Sequence, residues 1–214
     1  MIDFVLHFDK HLYELVNAYG AWVYAILFGI VFAETGLVVT PFLPGDSLLF
    51  AAGALAVSSG GLNPWVLFVL LAAAAFTGNT VNYAIGRRVG PAIFTGSDQT
   101  TLLHRALNRE YLERAHAFFE QYGGKAIILG RFVPIVRTFV PFVAGAAQMT
   151  AGAFVMFNAI GALAWVGLCV LAGVLFGNVP IVKNNFSLVT LGIVFVSVLP
   201  MVVEYVRHQS KKKN

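Results

Sequence analysis

The sequence is poor in charge and nearly free of cysteine, and both shortages limit what the protein can be. Charged residues make up 11% of its 214 residues, against roughly 25% in ordinary soluble domains, while 58% are hydrophobic. A nucleic-acid-binding fold would need a far larger polar surface, so no nucleic-acid partner is expected. Cys169 is the only cysteine, which excludes an intramolecular disulfide and a cysteine-type metal site. The composition therefore predicts an integral membrane protein with neither cofactor nor metal.

Long uncharged stretches define the expected membrane spans. A bilayer core of ~30 Å requires about 20 apolar residues in a helix. Two uncharged stretches have about that length, and two are about twice as long, so each of those must turn back once at a Gly-rich break. The sequence thus predicts a single all-α polytopic membrane domain over residues 1–214. Its four transmembrane spans are expected at 15–33, 64–86, 152–177 and 186–206.

Two further apolar segments, 36–57 and 126–149, are interrupted by proline and by charge. Proline frees backbone groups that lipid cannot satisfy, so such segments survive only where protein or a wet cavity surrounds them. We therefore predict two re-entrant hairpins. The segment Phe50–Ala54 resembles Phe142–Ala146, which fits an inverted repeat, although short Ala/Gly-rich stretches also match by chance.

Basic residues predict the orientation. The segment 87–125 carries six Lys and Arg residues, and the C-terminal tail carries Arg207 and the lysines at 211–213. Because short cytoplasmic connections are enriched in Lys and Arg, this central loop and both termini are expected on the cytoplasmic side. Within the loop, apolar residues at helical spacing from Tyr111 to Tyr122 predict an amphipathic helix. The N-terminus carries Asp3 and Asp9, and it lacks the basic start of a cleaved signal peptide.

Four ionisable residues lie in apolar surroundings: Glu34, Asp46, Arg131 and Arg137. Each costs about 2.5–3.5 kcal/mol at a helix centre, so four unpaired charges would cost on the order of 10 kcal/mol. We expect the acids of the first hairpin region to meet the arginines of the second, or to share a wet cavity with them. Arginine binds phosphate bidentately, and a poorly solvated carboxyl group can hold a proton near neutral pH. The set therefore predicts a transport site, and the alternative is an ion-pair network that only fixes the fold.

Several other residues could line a cavity at this site: Pro44, Gly45, Asn79, Tyr83, Pro134 and Pro141. Asn79 and Tyr83 share one helix face, because they are four residues apart. They could equally bond across helices without touching a substrate, and the same alternatives apply to Asn158. Gly173 and Gly177 form a GxxxG pair that indicates close helix packing.

The sequence resembles the DedA family of bacterial inner-membrane proteins over nearly its whole length. The resemblance implies similarity to eukaryotic VTT-domain lipid scramblases, with two re-entrant hairpins, and a link to undecaprenyl phosphate recycling, proton motive force and envelope integrity. It also implies that the essential acids are Glu34 and Asp46 and the essential arginines Arg131 and Arg137. The motifs that carry it are Phe32-Ala33-Glu34-Thr35-Gly36, Pro41-Phe42-Leu43-Pro44-Gly45-Asp46-Ser47, Asn82-Tyr83-Ala84-Ile85-Gly86-Arg87, and Gly130-Arg131-Phe132-Val133-Pro134 with Val136-Arg137-Thr138.

Three functions compete at this stage. The first is a proton-coupled flippase or scramblase in the bacterial inner membrane, with Arg131 and Arg137 binding an anionic lipid and Glu34 and Asp46 carrying protons. The second is a protein that organises the membrane without transport. The third is a lipid-phosphate enzyme, which is disfavoured because all five histidines lie outside the apolar core and neither HExxH nor a Walker A loop is present. The protein is therefore not expected to be an enzyme. The sequence leaves open whether it forms a homo-oligomer.

Overall fold

The structure is a computed structural model that describes residues 20–37, 45–58, 62–95, 124–132, 134–177 and 179–180, together with residues 122, 182 and 192. Six helices and no strand occur in this part of the chain. They are α1 (Trp22–Gly36), α2 (Gly45–Ser58), α3 (Pro64–Thr95), α4 (Lys125–Gly130), α5 (Pro134–Ala146) and α6 (Ala151–Phe176). The all-α prediction is confirmed for these residues.

Among the residues that the structure describes, two helices are long and apolar enough to cross a membrane: Pro64–Gly90 within α3, and α6. The 26 residues of α6 extend about 39 Å, which exceeds the bilayer core. Large apolar side chains such as Leu168, Leu171 and Leu175 point outward and are exposed, as expected where lipid is the solvent. Helix α3 continues past the predicted end at Gly86 to Thr95. Arg87 and Arg88 do not end it, because arginine is a good helix former.

The chain divides into two compact units. The first contains Met1–Val31, Phe42–Ala73 and Ala164–Asn214, and the second contains Phe32–Pro41 and Ala74–Leu163. In the first unit α2 packs closely on α6: a Cβ atom at Gly53 would collide with the Val170 carbonyl oxygen, and one at Gly173 with the Phe50 carbonyl oxygen. Gly177 likewise faces Ala54, so the GxxxG pair packs on α2 as the sequence indicates.

Replacing Gly173 by alanine should therefore destabilise the first unit. The added methyl group meets the backbone of α2, which cannot move aside as a flexible side chain would, and we expect the free energy of unfolding to fall by about 1–3 kcal/mol. Thermal unfolding of the purified protein in detergent measures the change. Gly29→Ala on α1 is the matched control, since its Cβ would meet nothing within 4 Å. Equal stability of the two variants would contradict close packing of α2 on α6.

The starts of α1 and α3 lie side by side in the first unit. The backbone N–H of Asn63 donates to the Tyr24 hydroxyl at 2.7 Å. The Asn63 side-chain oxygen then accepts from the backbone N–H groups of Trp65 and Val66 at 2.9 and 3.3 Å. Asn63 is thus a good N-cap, and Pro64 occupies the first position of the helix, where its missing N–H costs nothing.

The end of α1 also lies against α3, within the second unit. A Cβ atom at Gly36 would lie 3.3 Å from Gly78, and the Asn82 amide reaches the Thr35 carbonyl oxygen at 3.3 Å. These contacts hold the C-terminal end of α1 against the middle of α3 within this unit. Helices α1 and α2 have 15 and 14 residues, and each is too short for a ~30 Å core.

The segment 126–149 forms two short helices, α4 and α5, joined by a turn at Arg131 and Phe132. Helix α5 ends in a Schellman-type closure, with Gln148 in the left-handed region at φ 58° and the Met149 N–H donating to the Ala144 carbonyl oxygen at 3.0 Å. The amphipathic helix predicted within 87–125 and the span predicted at 186–206 fall almost entirely outside the described residues, as does Pro44.

Candidate functional site

The centre of the candidate site is an ion pair between Glu34 in the last turn of α1 and Arg137 in α5. The Arg137 Nη2 atom donates to Oε1 of Glu34, and the two side chains are 1% and 8% exposed, with Glu34 the more buried. A buried charge requires a partner, and here each residue supplies one for the other. One acid and one arginine predicted from the sequence are therefore brought together.

Arg131 lies at the turn between α4 and α5 and is 3% exposed. Its Nη2 atom donates to the side-chain oxygen of Asn158 at 2.5 Å and to the carbonyl oxygen of Ala75 at 3.4 Å. The carbon stem lies against α6 at Gly161, where an added Cβ would come within 2.9 Å of Arg131 Cδ. Glycine at position 161 thus makes room for the arginine.

The surrounding amides have defined orientations. The Asn158 nitrogen donates to the Phe76 carbonyl oxygen at 3.0 Å and to the Thr80 hydroxyl at 3.2 Å, which leaves its oxygen for Arg131. Asn79 satisfies both of its polar atoms when its oxygen accepts from Arg131 Nη2 at 2.7 Å and its nitrogen donates to the Thr35 carbonyl oxygen at 3.2 Å. Two neutral amides therefore hold Arg131.

The cluster carries excess positive charge. Among the described residues, no carboxylate forms an ion pair with Arg131, and its buried Nε atom has no hydrogen-bond partner there. The positive charge of Arg137 also acts on Arg131. With Glu34 ionised, the three side chains sum to one positive charge, which makes the cluster a natural site for an anion.

Asn82 joins three helical segments beside the ion pair. Its amide nitrogen donates to the carbonyl oxygen of Thr35, which follows Glu34, at 3.3 Å, and to that of Thr138, which follows Arg137, at 2.8 Å. The side chain is fully buried. The sequence contains Asn82 within a motif, but nothing in its spacing shows that one amide would tie α1 and α5 to α3.

The other predicted residues lie in different surroundings. Tyr83 stacks on Phe154 with ring centroids 4.1 Å apart, and its hydroxyl donates to the Met149 carbonyl oxygen and accepts from Arg87 at 3.2 Å. These contacts fix α3 against the α5–α6 turn. Pro141 lies inside α5, four residues after Arg137, so the Arg137 carbonyl receives no intrahelical N–H from that position.

Asp46 belongs to the first unit, in the first turn of α2, where the helix dipole favours an acidic residue. Its Oδ1 atom accepts from the indole N–H of Trp165 at 2.8 Å. Gly45 begins α2 directly before it, and Pro134 begins α5. No pattern in the sequence indicates the Trp165 contact, because an indole inside an apolar helix resembles any core residue. In the described part of the chain no group of three or more His, Cys, Asp or Glu residues could hold a metal ion.

Comparison with known proteins places this arrangement in context. Residues 43–175 match the VTT domain. The chain is 54% identical over 210 residues to protein DedA of Escherichia coli K12, covering 98% of this chain and 94% of that protein. It is 44% identical over 203 residues to an uncharacterized membrane protein of Mycobacterium tuberculosis, and 37% identical over 159 residues to the inner membrane protein YqjA of Escherichia coli. These matches cover 93% and 74% of this chain, and 87% and 70% of the relatives. No solved structure matches the chain.

Proposed function

Because this chain belongs to the DedA family of VTT-domain membrane proteins, we propose that it is an inner-membrane transporter that moves an anionic lipid from one leaflet to the other, coupled to protons. The lipid class is a polyprenyl phosphate such as undecaprenyl phosphate, which serves envelope integrity. In this proposal, segments 36–57 and 126–149 contribute re-entrant hairpins and both termini face the cytoplasm. The proposal holds for a monomer and for a homo-oligomer.

The observation that carries the proposal is the buried cluster of Glu34, Arg131 and Arg137 with its excess positive charge. A purely structural network gains nothing from an excess charge, because desolvating a cation costs several kcal/mol that only an opposite charge repays. A phosphate headgroup supplies that opposite charge and matches the guanidinium fork. The apolar exterior of α6 would hold the lipid tail in the bilayer.

Proton coupling follows from the Glu34–Arg137 pair. While Glu34 is ionised it engages Arg137; when Glu34 takes up a proton, its attraction for Arg137 falls and the guanidinium can turn to a phosphate oxygen. Protonation raises the summed charge of the three side chains from one to two positive charges, which suits a headgroup with one to two negative charges. Release of the proton restores the ion pair and expels the lipid. Asp46 provides a second carboxylate for proton transfer in this scheme.

The direct test is lipid movement in proteoliposomes that contain the wild-type protein. We expect a labelled polyprenyl phosphate to cross the bilayer faster than in protein-free liposomes, and a pH gradient to change the rate. Phosphatidylethanolamine in the same vesicles is the comparison lipid, because it carries no net negative charge. We expect its movement to increase much less than that of the phosphate.

The competing functions give different results in this assay. If the polyprenyl phosphate moves no faster than in protein-free vesicles, the transporter proposal fails and a membrane-organising role is favoured. If the label is recovered as polyprenol and free phosphate, the protein is a lipid-phosphate enzyme. If both lipids move equally fast, the protein scrambles lipids without selecting for charge, and the role proposed for the arginines fails.

A further inference from the structure

The two buried arginines have partners of opposite kinds. Arg137 binds a carboxylate, whereas Arg131 binds two side-chain amides and a backbone carbonyl, all of them uncharged. Asn158 is itself held by Phe76 and Thr80 on α3, so it cannot turn its nitrogen to Arg131 without losing two hydrogen bonds. The neutral environment of Arg131 is therefore built into the packing of α6 against α3.

We infer that Asn158, assisted by Asn79, is a positioning residue that keeps Arg131 as a permanently charged anion receptor, which takes up a phosphate group without first taking up a proton. The inference rests on the proposed function and divides its site into two parts. Arg131 receives the headgroup through its buried Nε atom at any physiological pH. Arg137 engages the same headgroup only after Glu34 is protonated.

An amide is the residue type that this role requires. The side-chain oxygen of asparagine accepts one hydrogen bond from the guanidinium and fixes its direction, but it adds no negative charge. An aspartate at the same position would accept the same bond and neutralise the arginine, so an incoming phosphate would compete with a fixed carboxylate. Arg131 would then need a proton on that carboxylate before it could bind a phosphate, just as Arg137 does.

The test replaces Asn158 by aspartate and measures binding of farnesyl phosphate at two pH values. Binding is followed by the rise in unfolding temperature of the detergent-solubilised protein, with farnesol as the uncharged ligand of the same tail. We expect wild type to be stabilised by farnesyl phosphate and not by farnesol. At about pH 8 we expect N158D to bind at least about tenfold more weakly than wild type, because one unscreened carboxylate faces the ligand.

The pH profile separates positioning from simple structural support. Between about pH 8 and about pH 5.5 we expect the difference in farnesyl phosphate affinity between N158D and wild type to narrow. The bound phosphate repels the new carboxylate and favours its protonated form, and the lower pH supplies that proton. Among the described residues, the charge shown to act on Arg131 is that of Arg137 from α5, which is paired with Glu34 of α1, and the phosphate itself titrates. These are common to both proteins, so each variant is compared with wild type at the same pH. An affinity difference of the same size at both pH values would mean that Asn158 only supports the fold. Equal affinities of N158D and wild type at both pH values would mean that a charge at position 158 does not affect anion binding by Arg131.

Two further variants keep the inference testable. Asn79→Asp places a carboxylate on the same Nη2 atom from α3, and it decides the question if N158D does not fold. Asn63→Asp makes the identical chemical change at the exposed N-cap of α3 and should bind like wild type at both pH values. If wild type binds farnesyl phosphate and the aspartate variants bind it more weakly as expected, but wild type moves no lipid, the role of Asn158 stands and the transport proposal fails. If wild type moves lipid and the aspartate variants match it in binding, transport stands and the role of Asn158 falls.

Discussion

Replacing Arg137 by alanine should both abolish lipid transport and destabilise the protein by about 3–5 kcal/mol, because it leaves the Glu34 carboxylate buried without its ion-pair partner. The structure places Glu34 at 1% exposure, so water cannot take over the role of the arginine. Thermal unfolding in detergent and flux of a polyprenyl phosphate in proteoliposomes measure the two effects. Glu34→Gln should also stop transport, since an amide cannot exchange the proton.

The double variant Glu34→Gln with Arg137→Gln separates the two consequences. It removes both buried charges and leaves an uncharged amide at each position, so we expect most of the lost stability to return. Transport should not return, because neither the proton-carrying acid nor the arginine is present. Recovery of transport together with stability would show that the pair only holds α1 to α5.

Replacing Arg131 by glutamine should have the opposite effect on stability. Arg131 has neutral partners, so the change removes a desolvated cation and leaves amides that can bond with the new amide. We expect the free energy of unfolding to stay equal or to increase, whereas the transport rate should fall about 10- to 100-fold, as hydrogen bonds to a charged group are worth about 1.5–3 kcal/mol.

The conservative variant Arg131→Lys should keep part of the transport activity, since it retains the charge but loses the planar fork. Arg87, which bonds to Tyr83 rather than to the cluster, offers a control: Arg87→Gln should leave the rate within a factor of about two, because lost surface charges contribute little. A loss of stability in Arg131→Gln as large as that in Arg137→Ala would contradict the view that the two arginines have different partners.

The start of α3 could be predicted from the sequence, but the contacts of α1 with α3 could not. The Asn63-Pro64 pair marks the start of α3 through local capping chemistry, and the structure begins α3 at Pro64. Residues 15–33 have the length and composition of an ordinary span. The Tyr24–Asn63 hydrogen bond in the first unit and the close approach of Gly36 to Gly78 in the second each join positions that are far apart in sequence. No local pattern reports such contacts.

The charged residues of the site could be predicted from the sequence, whereas its neutral residues could not. A charge in an apolar segment is costly, so Glu34, Arg131 and Arg137 stand out from composition alone. Which acid meets which arginine depends on tertiary packing. Asn158 and Asn82 carry no such signal, because an asparagine in a membrane helix serves equally well in helix packing. Their roles emerge only from the partners that surround each amide.

Asn82 has a mechanical consequence for any working cycle. Its amide clamps the backbone one residue beyond each member of the Glu34–Arg137 pair, at Thr35 and at Thr138, and neither bond involves an ionisable group. The side chains of Glu34 and Arg137 can thus separate while the backbones of α1 and α5 stay bound to α3 through Asn82. In the proposed transport cycle, the barrier to lipid passage is then a side-chain rearrangement between helices that do not move. Helices α1 and α5 would separate from α3 here only if the two Asn82 hydrogen bonds broke.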